Sequence, residues 1–290
     1  IQRVERGEIT VTDATMGSLS HPKEELANVI NQSIPGPAGS LRIRIYIPGQ
    51  ESQYPVLVYF HGGGYYLGDL NSHDSICRSF TNRARCIVVA VAYRLSSSAK
   101  FPAAVEDGYA ALKWVQENAG SFGGDAARVA VGGDSSGGNL AVVVCLMARD
   151  NNTPLPVYQI LLYPKTDYSS MNTESIKNYG QGYLLTTQTM NFFQTSYFQD
   201  DSNRLNPYAS PLLDDDFSGL PDAFVLTAEY DPLRDEGQAY AGRLKEASVD
   251  TNLVRYDGMI HGFINMGKVV DRALAAIQEA ADALHWAFYP

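Results

Sequence analysis

Residues 133 to 138 read Gly-Asp-Ser-Ser-Gly-Gly and follow directly on Arg128 to Gly132 (RVAVG), a β-branched run of strand character. The spacing G-x-S-x-G places Ser135 on a sharp corner between a strand and a helix. Small neighbours at Gly133 and Gly137 leave room for the tight turn, so the hydroxyl stands clear of the backbone and can act as a nucleophile. A serine hydroxyl attacks only if a base takes its proton, an acid orients that base, and donors meet the charge that develops on the attacked carbonyl.

Candidates for each part lie at the ends of apolar runs. His61-Gly62-Gly63-Gly64 follows Val56 to Phe60, and residues without side chains let backbone N–H groups turn inward toward an oxyanion. The amides of Gly63, Gly64 and Ser136 are the expected donors, with His61 bracing the loop. A plain turn or a phosphate cradle is the alternative reading of the glycines, and the second lacks both Gly-Lys-Ser/Thr and GxGxxG. Of the five histidines, only His261 stands in a glycine-flanked loop after a strand-like run, in Gly258-Met259-Ile260-His261-Gly262-Phe263. It is the expected general base, while His73 is expected to cap the helix that follows it and His285 to lie on the terminal helix. The orienting acid should end the run Phe224 to Ala228, within reach of Glu229, Asp231 and Asp235. Asp231 is preferred because Pro232 shapes the turn after it, whereas Arg234, Asp235 and Glu236 read as a charged first helical turn.

These positions need a scaffold that brings strand ends together. Strand-length apolar runs at Leu41 to Ile47, Val56 to Phe60, Ile87 to Ala92, Val129 to Val131, Tyr158 to Leu162, Phe224 to Ala228 and Asn252 to Tyr256 alternate with helical periods. The helical stretches are Ala103 to Asn118, Gly138 to Arg149, Arg234 to Ala247 and Val269 to Phe288. This alternation predicts an α/β fold, a mostly parallel central sheet covered by helices on both faces. Two segments fall outside it. Residues 1–35 are polar with one amphipathic stretch, Glu24 to Asn31, and are expected to form an N-terminal cap segment before a catalytic domain over 36–290. Residues 166–216, rich in Tyr, Phe, Asn and Ser, are too long for a structureless excursion and predict a helical cap over the strand ends. Within them Thr186 to Phe198 reads as a capped helix with Met190, Phe193 and Tyr197 on one side, and Leu184, Leu185 and Phe193 are the expected substrate contacts.

His61 to Gly64, Gly133 to Gly138, Asp231-Pro232-Leu233 and His261-Gly262-Phe263 together resemble the motifs of the hormone-sensitive-lipase-like carboxylesterases, the bacterial family IV type, of the α/β-hydrolase superfamily. Tyr93-Arg94-Leu95 and Phe101 to Asp107 are similar to a further stretch of that family. The likeness covers roughly residue 35 to the C-terminus. It implies an α/β-hydrolase fold, a triad of Ser135, Asp231 and His261, an oxyanion hole from the glycine loop, a cap from the N-terminus and the insertion, and neither cofactor nor metal. Three departures stand out: Ser136 replaces the usual Ala, Ser96-Ser97-Ser98 replaces Ala-Pro-Glu, and the N-terminal cap is short.

The expected reaction is hydrolysis of short to medium acyl-chain esters through an acyl-enzyme. An amidase, formamidase or lactonase with the same triad is the alternative, and a non-catalytic receptor on the same fold would be expected to have lost the base or the nucleophile. With 22 Lys and Arg against 32 Asp and Glu, a net charge of −10, the field repels nucleic acid and anionic membrane surfaces. No apolar run reaches the roughly 18 to 20 residues of a membrane span. The expected partner is a small-molecule ester, with neither nucleic acid nor membrane, and a homodimer is left open. Cys77, Cys86 and Cys145, odd in number and in apolar contexts, point to buried thiols and a cytoplasmic location.

Overall fold

The computed structural model describes residues 18–51 and 53–290. Eight strands form one sheet: β1 (Asn28–Gly36), β2 (Gly39–Ile47), β3 (Tyr54–Phe60), β4 (Ile87–Ala92), β5 (Gly124–Asp134), β6 (Gln159–Leu162), β7 (Ala223–Tyr230) and β8 (Thr251–Ile260). Their order is β1-β2-β4-β3-β5-β6-β7-β8. β1 and β2 form an antiparallel hairpin, β2 pairs antiparallel with β4, and from β4 onward neighbouring strands run parallel.

Every residue of β3 is buried because both faces of the sheet are covered. Val56, Val58 and Phe60 enter a core built with α2 (Ala103–Asn118), α3 (Ser136–Asp150) and α6 (Arg234–Glu246). Leu57 and Tyr59 point the other way, to α1 (Asp74–Arg83) and α7 (Asp271–Phe288). Two-sided burial explains why the central strands read as continuous apolar runs. The parallel strands also aim their carboxyl ends at one edge, where the crevice of an open α/β sheet forms.

The sheet reaches further toward the N-terminus than the sequence suggests. Residues 28–36 belong to β1, so the sheet begins inside the segment expected to be cap, and the amphipathic stretch Glu24 to Asn31 runs into this strand. The cause is its edge position: along β1 only Ile34 is buried, leaving Asn28, Asn31, Gln32 and Ser33 to read as polar coil. The part of that expectation on residues 1–17 lies outside the described residues. Between β6 and β7 the chain makes α4 (Glu174–Tyr179) and α5 (Thr187–Tyr197). Thr173 and Thr186 cap these helices by accepting from the amides of Ile176 and Thr189, which satisfies donors that a helix start leaves open.

Candidate active site

β5 delivers Ser135 to the crevice, and α3 starts at the next residue. Ser135 is held at φ 56° and ψ −119°, a conformation that costs a non-glycine residue about 1–3 kcal/mol. Its N–H donates to Leu162 O at 2.9 Å, and its carbonyl accepts from Asn139 N and Lys165 N at 3.1 Å each. The corner tolerates no side chain at Gly137, where a Cβ would lie 2.0 Å from Phe60 O, a backbone atom that cannot step aside.

The three expected chemical groups meet at this corner. Ser135 Oγ lies 2.9 Å from His261 Nε2, and His261 Nδ1 lies 2.8 Å from Asp231 Oδ2. An ionised carboxylate can only accept, so Nδ1 carries the imidazole proton and the Nε2 lone pair receives the serine hydroxyl. Asp231 is fully buried, and its other oxygen accepts from Leu233 N at 2.8 Å. The neighbouring acids are engaged elsewhere: Glu229 accepts from Gly258 N, and Asp235 from Ser175 N.

The glycine loop after β3 passes close to this corner, where a Cβ at Gly137 would stand 2.6 Å from His61 O. Gly63 and Gly64 have φ of 123° and 63°, backbone that side-chain-bearing residues rarely adopt. The Gly63 carbonyl is turned away, accepting from Tyr66 N and Leu67 N. His61 braces the loop as expected: its ring stacks on Tyr93 at 4.3 Å, its Nδ1 meets Gly62 O at 2.8 Å, and Tyr93 Oη donates to His61 O at 2.6 Å. Burial first, and the proximity of His73 second, push the His61 imidazole down to about 4, so the brace is neutral at pH 7. Ser136 begins α3, whose positive end adds to any donor at that amide. Its hydroxyl, the departure from the family pattern, accepts from Tyr65 N at 3.3 Å.

Asp134 went unread in the sequence, as the filler position of G-x-S-x-G. Its carboxylate accepts from Tyr59 Oη at 2.9 Å and Gly62 N at 3.0 Å, faces His73 Nε2 at 3.2 Å, and lies 3.5 Å from Asn265 Nδ2 in the loop after His261. Burial alone would raise this carboxyl, yet the charge and hydrogen bonding of His73, with Tyr59 and His61, hold it below the usual carboxylate range. A signal for it existed: an acid that ends the apolar run Val129 to Gly133 of a central strand must be buried and therefore bonded. His73 stands at the start of α1 but makes no capping bond; the pull of Asp134 turns its ring inward, correcting the expectation of a cap.

Two of the three residues expected to contact substrate lie beside the glycine loop and the His261 loop. A Cβ at Gly64 would stand 2.2 Å from the Phe193 ring, and one at Gly262 would stand 3.6 Å from Leu184. Leu185 is buried with Ile176, Met190 and Leu233, a cluster against which Phe193 also packs, and so helps to seat the insertion. On α5, Tyr197 stacks on Tyr65 at 4.0 Å and Phe192 meets Tyr66 edge-on at 4.9 Å. The aromatic face of the helix thus rests on the residues directly after the glycine loop. Where the sequence lacks the family's Ala-Pro-Glu, Ser98 closes the turn by donating to Leu95 O from both its amide and its hydroxyl, at 2.9 Å each.

A family model described as the alpha/beta hydrolase fold matches residues 57–265. The chain is 44% identical over 263 residues to the carboxylic ester hydrolase LipN of Mycobacterium tuberculosis, a match covering 89% of this chain and 70% of that one. It is 39% identical over 249 residues to an ethyl acetate hydrolase of Pseudomonas putida, with 84% and 78% covered. Among solved structures, an ester-hydrolase from the metagenome of Lake Arreo, complexed with a bipyridine phosphonate derivative, superimposes with a TM-score of 0.94 at 41% identity, over 100% of this chain and 96% of that one.

Proposed function

The chain belongs to the α/β-hydrolase family, among its hormone-sensitive-lipase-like carboxylesterases, and from that premise we propose how its own residues hydrolyse an ester. Ser135 Oγ attacks the ester carbonyl carbon while His261 Nε2 takes the hydroxyl proton. The amides of Gly63, Gly64 and Ser136 receive the oxyanion of the tetrahedral intermediate. His261 then returns the proton to the leaving alkoxide, and the acyl group stays on Ser135. A water molecule, deprotonated by His261, attacks that acyl-enzyme and frees the acid. Asp231 orients the imidazole and stabilises its cationic form without taking the proton. The observation that carries this reading is the unbroken chain of hydrogen bonds Ser135–His261–Asp231, at 2.9 and 2.8 Å, set on a serine with a left-handed backbone.

The substrates are small-molecule esters with short to medium acyl chains. Phe193 over Gly64 and Leu184 beside Gly262 support an apolar acyl site of limited depth under a cap formed by the insertion. Buried free thiols at Cys77, Cys86 and Cys145 support a reducing, cytoplasmic compartment. For assembly, β8 stands at one end of the sheet, and pairing of two such edges in a homodimer would cover them; sedimentation of the purified chain reads this directly. The functional test is a series of nitrophenyl esters from acetate to laurate, run beside Ser135→Ala. Rates should peak at short or medium chains and fall by about 10³-fold or more in the variant. A maximum at laurate would overturn the chain-length reading, and undiminished turnover in Ser135→Ala would overturn the mechanism.

A further inference from the structure

Tyr163, directly after β6, combines three features that do not ordinarily persist together. Its backbone is left-handed, at φ 39°, a region that a side-chain-bearing residue occupies only when its surroundings hold it there. Its side chain is buried, 1% exposed, and its hydroxyl, turned toward Asn265 and the Ile264 backbone, makes no hydrogen bond of normal geometry among the described residues, although such a group is costly to leave poorly paired. A glycine would satisfy the backbone and a phenylalanine the burial, so the demand on this position comes from what the turn and the ring touch.

The turn touches the nucleophile from both sides. Leu162, just before Tyr163, accepts from Ser135 N at 2.9 Å, and Lys165, just after Pro164, donates to Ser135 O at 3.1 Å. In a regular parallel ladder one residue bonds a carbonyl and an amide two residues apart; here they are three apart, and the left-handed step at Tyr163 takes up the extra residue. Its own N–H is fixed to Leu226 O at 2.6 Å on β7, which ties the bend to the strand that ends just before Asp231. The ring meets the base: its centroid lies 4.8 Å from that of His261, and 6.1 Å from that of Phe263 on the far side of the His261 loop. The Lys165 side chain continues to Glu236 at 2.7 Å, on the helix after Asp231.

We propose that Tyr163 is a positioning residue for ester hydrolysis: its backbone bend clamps Ser135 in the attacking conformation while its ring walls His261 against Asp231. This rests on the triad reading above. The ring performs the task and the hydroxyl does not, so the two can be separated. Tyr163→Phe keeps the ring and removes the hydroxyl. Tyr163→Gly keeps the left-handed backbone and removes the ring, and Tyr163→Leu restores bulk without an aromatic wall.

Each variant is assayed for kcat and KM on nitrophenyl butyrate. Active sites are counted with a fluorophosphonate, and the downfield proton NMR signal of the His261–Asp231 hydrogen bond is recorded. Tyr163→Phe should hold kcat within about two-fold. Tyr163→Gly and Tyr163→Leu should lose about 10- to 100-fold in kcat, as misplaced reacting groups do, with KM little changed and the downfield signal broadened or lost. Counting sites separates this loss from misfolding, and if one of the two fails to fold the other carries the test. A folded Gly or Leu variant with wild-type kcat and an intact signal would overturn the proposal. So would Tyr163→Phe falling as far as Tyr163→Gly, because the hydroxyl would then be the working part. Ser135→Ala in the same assay keeps the two readings apart: its inactivity beside a fully active Tyr163→Gly would leave the triad standing and remove only the role of Tyr163.

Discussion

Asp134 shows how much of this site depends on a residue that cannot touch an ester. One carboxylate joins β3 through Tyr59, the glycine loop through Gly62, α1 through His73 and the base loop through Asn265. Removing it frees the Gly62 amide and leaves the buried His73 ring without its acceptor. Breaking a buried pair of this kind costs about 3–5 kcal/mol. Asp134→Ala should therefore lower unfolding stability by that order and reduce kcat by at least about 10-fold, as misaimed oxyanion donors do. Asp134→Asn, whose amide oxygen can still accept from Gly62 and Tyr59, should lose less on both counts. Urea unfolding and steady-state kinetics of the pair provide the check, and an alanine variant equal to wild type in both would sink the argument. Ser135, Asp231 and His261 were legible in the sequence because each stands at a strand end among glycine or proline. Asp134 and Tyr163 were not, since the features that mark them, a shared carboxylate and a left-handed turn, exist only once distant strands are paired.

The elements were legible where burial is two-sided and obscure where it is not. Ala103 to Asn118 and Ile87 to Ala92 fall where the sequence puts them, because a helix packed on the sheet and a central strand each carry a continuous apolar signal. β1 gives no such signal, with one buried position in nine residues, and α4 is a single short stretch whose Ile176 packs with Leu233 from the loop after β7. The insertion was legible as an aromatic segment, but the surroundings of its side chains were not: Phe193 and Leu184 lie beside Gly64 and Gly262, while Leu185 is buried with Ile176, Met190 and Leu233. Phe193 lies against Gly64, in the loop proposed to receive the oxyanion, so on that proposal trimming it should deepen the acyl site rather than unfold the insertion. In Phe193→Ala, whose helix retains the Thr186 cap and the Tyr197–Tyr65 stack, the chain-length optimum should move toward longer nitrophenyl esters. An unchanged profile across the acetate-to-laurate series would place the acyl site elsewhere. Thr186→Ala should act on the helix instead, costing about 1 kcal/mol through the lost cap.

For the whole molecule, the consequence of burying histidines is a stability that falls with acid before the carboxylates titrate. The His61 imidazole is held near 4 instead of the ordinary 6.5, by burial first and by His73 second, and burial likewise lowers His21. Between these values the unfolded chain binds protons that the folded chain refuses. Stability therefore rises with pH across this window, is fully present above about 6.5, and is lost progressively as pH falls toward 4. For His61 alone the span corresponds to about 3 kcal/mol. Asp69 and Asp134, the carboxylates acting on this ring, favour its charged form but do not outweigh burial. Asp134 itself is depressed, so its contribution survives until the pH drops below the ordinary carboxylate range. Denaturant midpoints measured from pH 7 down to the sequence pI of about 4.9 should fall steadily, and His61→Gln, which cannot take up a proton, should flatten that slope while lowering stability at pH 7. The high negative charge fades over the same range, which promotes association, so the midpoints must be read from reversible unfolding at low concentration. A wild-type midpoint that holds constant from pH 6.5 to pH 5, or a His61→Gln slope as steep as wild type, would mean that His61 takes up its proton as readily in the fold as outside it.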